Sequence, residues 1–283
     1  MHNAQNCIKI GIIMIPAEDA QDTAFRDIGK AAKPHHMPLI FIHGLGLDHH
    51  CFDGIIPALA PTHRVISFDL VGHGNTPPDP NERPSLDLFA RQTLALMNRL
   101  DLDKAVLIGF SLGGMINRRF AMDYSDRTAG IVVMNSPHHR GAAGQKAVEE
   151  RALKTRSEGV AATMEATLAR WYTEPFRTKH PEIMQHTADQ LLRNDPDWYA
   201  DCRFVLAAGV TELIKPEPPI DCPCLIITCQ HDSGSTAAMS HEISAEIPAS
   251  QTRIIPDLQH LGLIEAPEMF SDAIIQFLNA NTM

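Results

Sequence analysis

The 283-residue chain has no apolar run long enough to predict a membrane span. Its amino-terminal run, Ile10 to Ile15, is too short for the core of a signal peptide, so none is expected. Basic residues are also scarce. Lys and Arg number 24 against 34 Asp and Glu, a formal net charge of -10, and the isoelectric point is near 5.8. That balance argues against phosphate backbones and anionic membrane surfaces as partners and leaves a small molecule as the expected one. The six cysteines form neither a C-x-x-C motif nor a zinc-finger spacing, the closest pair being Cys222 and Cys224. They are therefore read as reduced, mostly buried thiols of a cytoplasmic protein. Histidine is plentiful at 15, yet H-E-x-x-H is absent and the doublets His35-His36, His49-His50 and His138-His139 would splay their rings apart. No metal or cofactor is expected.

What is present is a rhythm. Short aliphatic runs recur at Leu39–Ile42, Val65–Phe68, Ala105–Ile108, Gly130–Met134, Leu225–Thr228 and Arg253–Ile255. Runs this short and continuous, bounded by Gly, Pro or Asp, predict strands covered on both faces. Helical segments alternate with them at His49–Ala60, Ser85–Leu100, Leu112–Tyr124, Ala237–Ile247 and Pro267–Asn279, which predicts βαβ units and a mostly parallel sheet. Upstream, Thr23–Ile28 and the segment around Ile8–Ile13 are predicted as antiparallel edge strands. From about Ser136 to Lys215 the rhythm stops. Four charged helical segments (145–157, 160–171, 181–194 and 197–209) and no convincing strand predict a helical insertion over the carboxyl edge of the sheet, where open α/β sheets bind ligands. Both tryptophans fall inside it. Trp171, followed by Tyr172 and Phe176, is the candidate pocket wall, whereas Trp198 is as well explained by packing.

The most informative motif is Gly109-Phe110-Ser111-Leu112-Gly113, set between the strand Ala105–Ile108 and the helix from Leu112. A serine at such a corner must adopt a cramped backbone, and glycines two residues away on each side remove the Cβ atoms that would clash. Its hydroxyl is pushed outward. A serine hydroxyl is a poor nucleophile at neutral pH, so Ser111 needs a base, and the base needs an orienting carboxylate. In sheet enzymes with this motif the chain order is Ser, acid, His. Asp232 and His260 each follow a later strand run and are the candidates, ahead of Asp257 and His231, which are near in sequence but less well delivered. Charge developing on an attacked carbonyl oxygen needs fixed donors. The backbone N–H of Leu112, at a helix start, and that of Leu45, in the His43-Gly44-Leu45-Gly46 loop, are the candidate oxyanion hole. Phe110, Trp171 and Arg140 are candidate substrate contacts, with Arg170 an alternative cation for a carboxylate-bearing substrate.

With these pieces placed, the chain resembles the α/β-hydrolase superfamily over nearly its whole length. The resemblance rests on His43-Gly44-Leu45-Gly46, the Phe68-Asp69-Leu70-Val71-Gly72-His73-Gly74 loop, the Ser111 elbow, Asp232 and His260. Within the superfamily, the segments 109–115, Trp171-Tyr172-Thr173-Glu174-Pro175-Phe176 and Asp195-Pro196-Asp197-Trp198-Tyr199 resemble the enol-lactonases of aromatic catabolism, which open 3-oxoadipate enol-lactone. The resemblance implies a hydrolase core in two parts, 1–135 and 216–283, with 136–215 as a cap. It also implies hydrolysis of the ester or lactone of a small carboxylic acid through an acyl-enzyme. Two departures stand out: Cys229 where relatives commonly carry glycine, and Leu261-Gly262-Leu263-Ile264-Glu265 where enol-lactonases tend to have Ser-Asn. The alternatives are a carbon–carbon bond hydrolase of ring-cleavage products and a ligand receptor with vestigial hydrolysis. The former usually carries a Gly-Pro-Gly loop where this chain has Leu47-Asp48-His49-His50.

Overall fold

The structure, a computed structural model, describes residues 9–14 and 22–283. In chain order its elements are β1 (Lys9–Met14), β2 (Asp22–Ile28), β3 (Leu39–Ile42), α1 (Ile56–Leu59), β4 (Val65–Phe68), α2 (Leu86–Arg99), β5 (Ala105–Phe110), α3 (Leu112–Asp123) and β6 (Thr128–Met134). A helical stretch follows, with α4 (Gly141–Glu158), α5 (Met164–Trp171), α6 (Glu174–Lys179), α7 (Pro181–Arg193) and α8 (Pro196–Ala208). The chain then returns through β7 (Cys224–Cys229), α9 (Ala237–Glu246), β8 (Ser250–Ile255), α10 (Gly262–Glu265) and α11 (Pro267–Ala280).

Eight strands form one sheet in the order β1-β2-β4-β3-β5-β6-β7-β8. β2 runs antiparallel to β1 and β4, and every pairing from β4 to β8 is parallel. The aliphatic runs become strands because helices cover both sheet faces: every side chain of β3, β4, β5 and β7 is buried. β8 departs from that expectation. As the terminal strand it alternates half-buried with exposed residues, Gln251 and Arg253 facing solvent. β2 lies second from the opposite edge, with β1 outside it; Ile8 falls outside the described residues.

Helix ends follow local chemistry. The Ser85 side chain accepts from the N–H of Leu88 at the start of α2, with Asp87 in its first turn and Arg99 in its last. The segment 49–60 is not one helix as its composition predicts. A 3-10 turn, His49–Phe52, is separated from α1, because Pro57 provides no N–H and therefore suits only the first turn of a helix. A Cβ on intervening Gly54 would press on Pro267 of α11. α6 has no counterpart among the predicted helices. Thr173 caps it, with Pro175 in its first turn. Five cysteines are described and unpaired; Cys7 lies outside the described residues. Among the described residues no helix is long and apolar enough to cross a membrane, and no cluster of His, Cys, Asp or Glu is placed to hold a metal.

Candidate active site

Ser111 closes the corner between β5 and α3 with φ 55° and ψ -110°, a left-handed backbone that side chains other than glycine rarely adopt. The surrounding structure enforces it. The Ser111 N–H donates to the carbonyl of Met134 at 2.8 Å. A Cβ on Gly109 would overlap the carbonyl of Gly113, and one on Gly113 would overlap the carbonyl of Ile42 in β3. Both glycines are thus required by backbone approach. Arg118, nearly two turns along α3 and 1 % exposed, ties the corner to the loop after β6 by donating to the carbonyls of Gly114 at 2.9 Å and Pro137 at 2.8 Å. Burial lowers its pKa to about 10, which still leaves the guanidinium charged at neutral pH.

The strands bring the three predicted residues together from 149 positions of separation. His260 Nε2 lies 3.2 Å from Ser111 Oγ, and His260 Nδ1 donates to Asp232 Oδ2 at 2.7 Å. With Nδ1 carrying its proton, a neutral ring offers a lone pair at Nε2 to the serine hydroxyl. Asp232 is buried and fully engaged. Its Oδ1 accepts from the backbone N–H groups of Gly234 at 2.8 Å and Ser235 at 3.0 Å, and its Oδ2 also accepts from Asn135 Nδ2 at 2.9 Å. Burial alone would raise the pKa of this carboxyl. The charge and hydrogen bond of His260, with the bonds from Asn135 and Gly234, outweigh burial and hold it below the ordinary carboxylate value.

Asn135 was not foreseen. It follows β6 with φ 46°, its N–H bonded to the carbonyl of Ile227, and Cys229 Sγ approaches its Oδ1 at 3.8 Å. Its only sequence signal was its position at the carboxyl end of a strand. Asp257, the competitor for the acid, is exposed and forms no part of this chain of bonds.

The His43 to Gly46 loop sits beside the corner, with Gly44 packed on Phe110 and Ser111. His43 Nδ1 donates to the Gly44 carbonyl at 2.8 Å and its Nε2 accepts from the N–H of Leu70 at 2.9 Å. That arrangement requires a neutral ring, and burial lowers the His43 pKa accordingly, against the pull of Asp69. The next loop is held by Asp69, which accepts from the backbone of His49 at 2.9 Å and its Nδ1 at 2.6 Å, and from the N–H of Asn75 at 2.8 Å. Gly44, Leu45, Ser111 and His260 line one cavity. Leu112, the first residue of α3, has no intrahelical acceptor for its N–H.

Phe110 and Trp171 flank His260, their rings 5.0 and 6.0 Å from its own. The N–H of Leu261 donates to the Trp171 carbonyl at 2.8 Å, so the residue after His260 is pinned to α5. Trp198 points elsewhere. Its Nε1 donates to the carbonyl of Val71 at 2.9 Å and its ring covers Gly72, which fastens α8 to the core. Arg140 lines the cavity, but its terminal nitrogens donate to the carbonyls of Leu206 at 2.9 Å and Ala207 at 3.2 Å, closing the carboxyl end of α8. The candidate substrate contact is therefore largely committed to the fold. Arg170 lines the same cavity, and so do Arg151 and Arg203, which sequence reasoning passed over.

A mostly parallel sheet, a strained serine at a strand-to-helix corner, and an aspartate and a histidine that follow later strands define a class. A profile described as alpha/beta hydrolase fold matches residues 37–267, and the chain belongs to that family. It is similar to two 3-oxoadipate enol-lactonases of Acinetobacter baylyi. It is 27 % identical to enol-lactonase 2 over 260 residues, covering 90 % of this chain and 93 % of that one, and 28 % identical to enol-lactonase 1 over 249 residues, covering 87 % and 91 %. Among solved structures it is similar to a thermophilic esterase from Thermogutta terrifontis in a malate-bound form (TM-score 0.82, 27 % identity, 97 % of this chain and 100 % of that one). The enol-lactonase of Burkholderia xenovorans shares the fold (TM-score 0.80, 24 % identity, 92 % and 97 % covered).

Proposed function

We propose that this protein is a serine hydrolase that cleaves the ester or lactone bond of a small carboxylic acid. The observation that carries the reading is the continuous chain from Ser111 Oγ through His260 to buried Asp232, opening on a cavity walled by Phe110 and Trp171. His260 Nε2 takes the Ser111 proton as the oxygen attacks the carbonyl carbon. The resulting oxyanion accepts from the N–H groups of Leu45 and Leu112, the second at a helix amino terminus. Collapse breaks the carbonyl–oxygen bond, and the His260 proton goes to the departing oxygen. A lactone stays tethered as the acyl-enzyme with its own freed oxygen. Water then gives a proton to His260 and its hydroxyl to the acyl carbon, releasing the acid and restoring Ser111. Asp232 holds the ring's orientation and stabilises its cation.

Residues 136–215 act as the cap over this site in the same reading, and similarity to enol-lactonases and to an esterase supports an ester or lactone over a carbon–carbon bond. Turnover of p-nitrophenyl acetate and of a panel of lactones tests the proposal. Ser111→Ala and His260→Ala are each expected to lower kcat by about 10⁶. Retained turnover in Ser111→Ala overturns the assignment, and a single stoichiometric burst in place of many cycles identifies a receptor.

A further inference from the structure

Four arginines, Arg140, Arg151, Arg170 and Arg203, line the cavity above Ser111, drawn from the start of α4, its middle, α5 and α8. Such a gathering is unusual in a chain whose net charge is -10. Arg140 closes the end of α8, as described. The other three guanidinium groups make no hydrogen bond or ion pair with any described residue; Arg203 lies over the ring of Tyr199 at 5.7 Å. Several arginines elsewhere are paired: Arg64 with Asp27, Arg91 with Glu82 and Asp87, Arg119 with Asp123 and Glu212. The carboxylate whose field reaches Arg170 is Asp232, and its oxygens are taken up by His260, Asn135, Gly234 and Ser235.

Like charges held together away from water are unfavourable unless anions share the space. Burial, reinforced by mutual repulsion, lowers the pKa of Arg140, Arg151 and Arg170, which records how poorly this protein itself neutralises them. The nitrogen Nε of Arg203 is buried without a partner among the described residues. The groups are also divided in space. Arg170 lies against Gly234, where a Cβ would come 3.2 Å from its Nη1, close to the acid and base. Arg151 and Arg203 come from the packed helices α4 and α8. A planar guanidinium fork matches a carboxylate with two parallel hydrogen bonds.

We propose that the substrate is a polycarboxylate: beside the ester or lactone carbonyl offered to Ser111, it carries two further carboxylates, one met by Arg170 and one shared by Arg151 and Arg203. This inference rests on the serine-hydrolase reading and narrows its substrate class. Calorimetric titration of the full chain with tricarballylate, acetate and pyrophosphate tests it without any turnover. Tricarballylate is expected to bind at least about 100-fold tighter than acetate, and Arg151→Gln and Arg203→Gln each to weaken it about tenfold or more. Equal affinity of the unmutated chain for tricarballylate and acetate overturns the proposal and needs no variant to fold. Unweakened binding by both variants overturns it as well, and pyrophosphate binding more tightly than tricarballylate overturns the choice of carboxylate. Loss of the hydrolase reading is a separate result, because it is read from Ser111→Ala turnover and leaves these titrations standing.

Discussion

At the scale of single residues the site depends on atoms that are missing as much as on those present. Gly113 faces the carbonyl of Ile42 so closely that a methyl group would force two backbones apart. Backbone cannot move aside as a flexible side chain can. Gly113→Ala is accordingly expected to destabilise the fold by at least about 2 kcal/mol, measured by urea denaturation. Asp232→Asn keeps the shape of the acid but accepts poorly from His260 Nδ1, and kcat is expected to fall about 10⁴-fold while the urea midpoint moves far less. Both positions were legible in the sequence, from the elbow glycines and from the order of serine, aspartate and histidine after successive strand runs. Asn135 was not legible: an asparagine after a strand has many uses, and only the register of β6 beside β7 shows that it donates to Asp232.

At the scale of elements, the strands were legible because burial on both faces selects continuous aliphatic runs, and that is why β8, half exposed, was the least like its description. Apart from α6, the helices between β6 and β7 were legible as helices, though not in their packing. α4 buries only Ala152 and Thr155, so its sequence carries little of the periodicity that would orient it. Nothing local indicates that Arg151, Arg170 and Arg203 converge, since they come from three helices. α8 is held at both ends, by Trp198 on Val71 and Gly72 and by Arg140 on its last carbonyls. Trp198→Ala should therefore cost about 3–5 kcal/mol. Hydrogen exchange should localise the loss, amides of α7 and α8 losing protection before those of β5 and β6.

At the scale of the whole molecule, stability should fall in acid well before the carboxylates titrate. His73 is buried, and burial, with the nearby His43 ring, pushes its pKa down to about 3. An unfolded histidine titrates near 6.5. Between these values the unfolded chain holds a proton that the folded chain refuses, so stability is full above about pH 6.5 and declines as the pH falls towards 3. The slope for this one group is about 1.4 kcal/mol per pH unit, and buried His43 adds to it over the range set by its own lowered value. His73→Gln is expected to remove about one proton from the slope of unfolding free energy against pH between 4 and 6. An unchanged slope would place the acid sensitivity elsewhere. The separation of 149 positions between Ser111 and His260 bears on how the molecule assembles. Loop closure over such a span is slow, and the contact joins a strand near the middle of the sheet to the loop after its last strand. In the proposed mechanism no stretch of nascent chain ending before residue 260 can carry the reaction, however well its early strands have formed. Regain of hydrolysis during refolding is thus a clock for the final docking event, whereas far-ultraviolet ellipticity times the earlier ones.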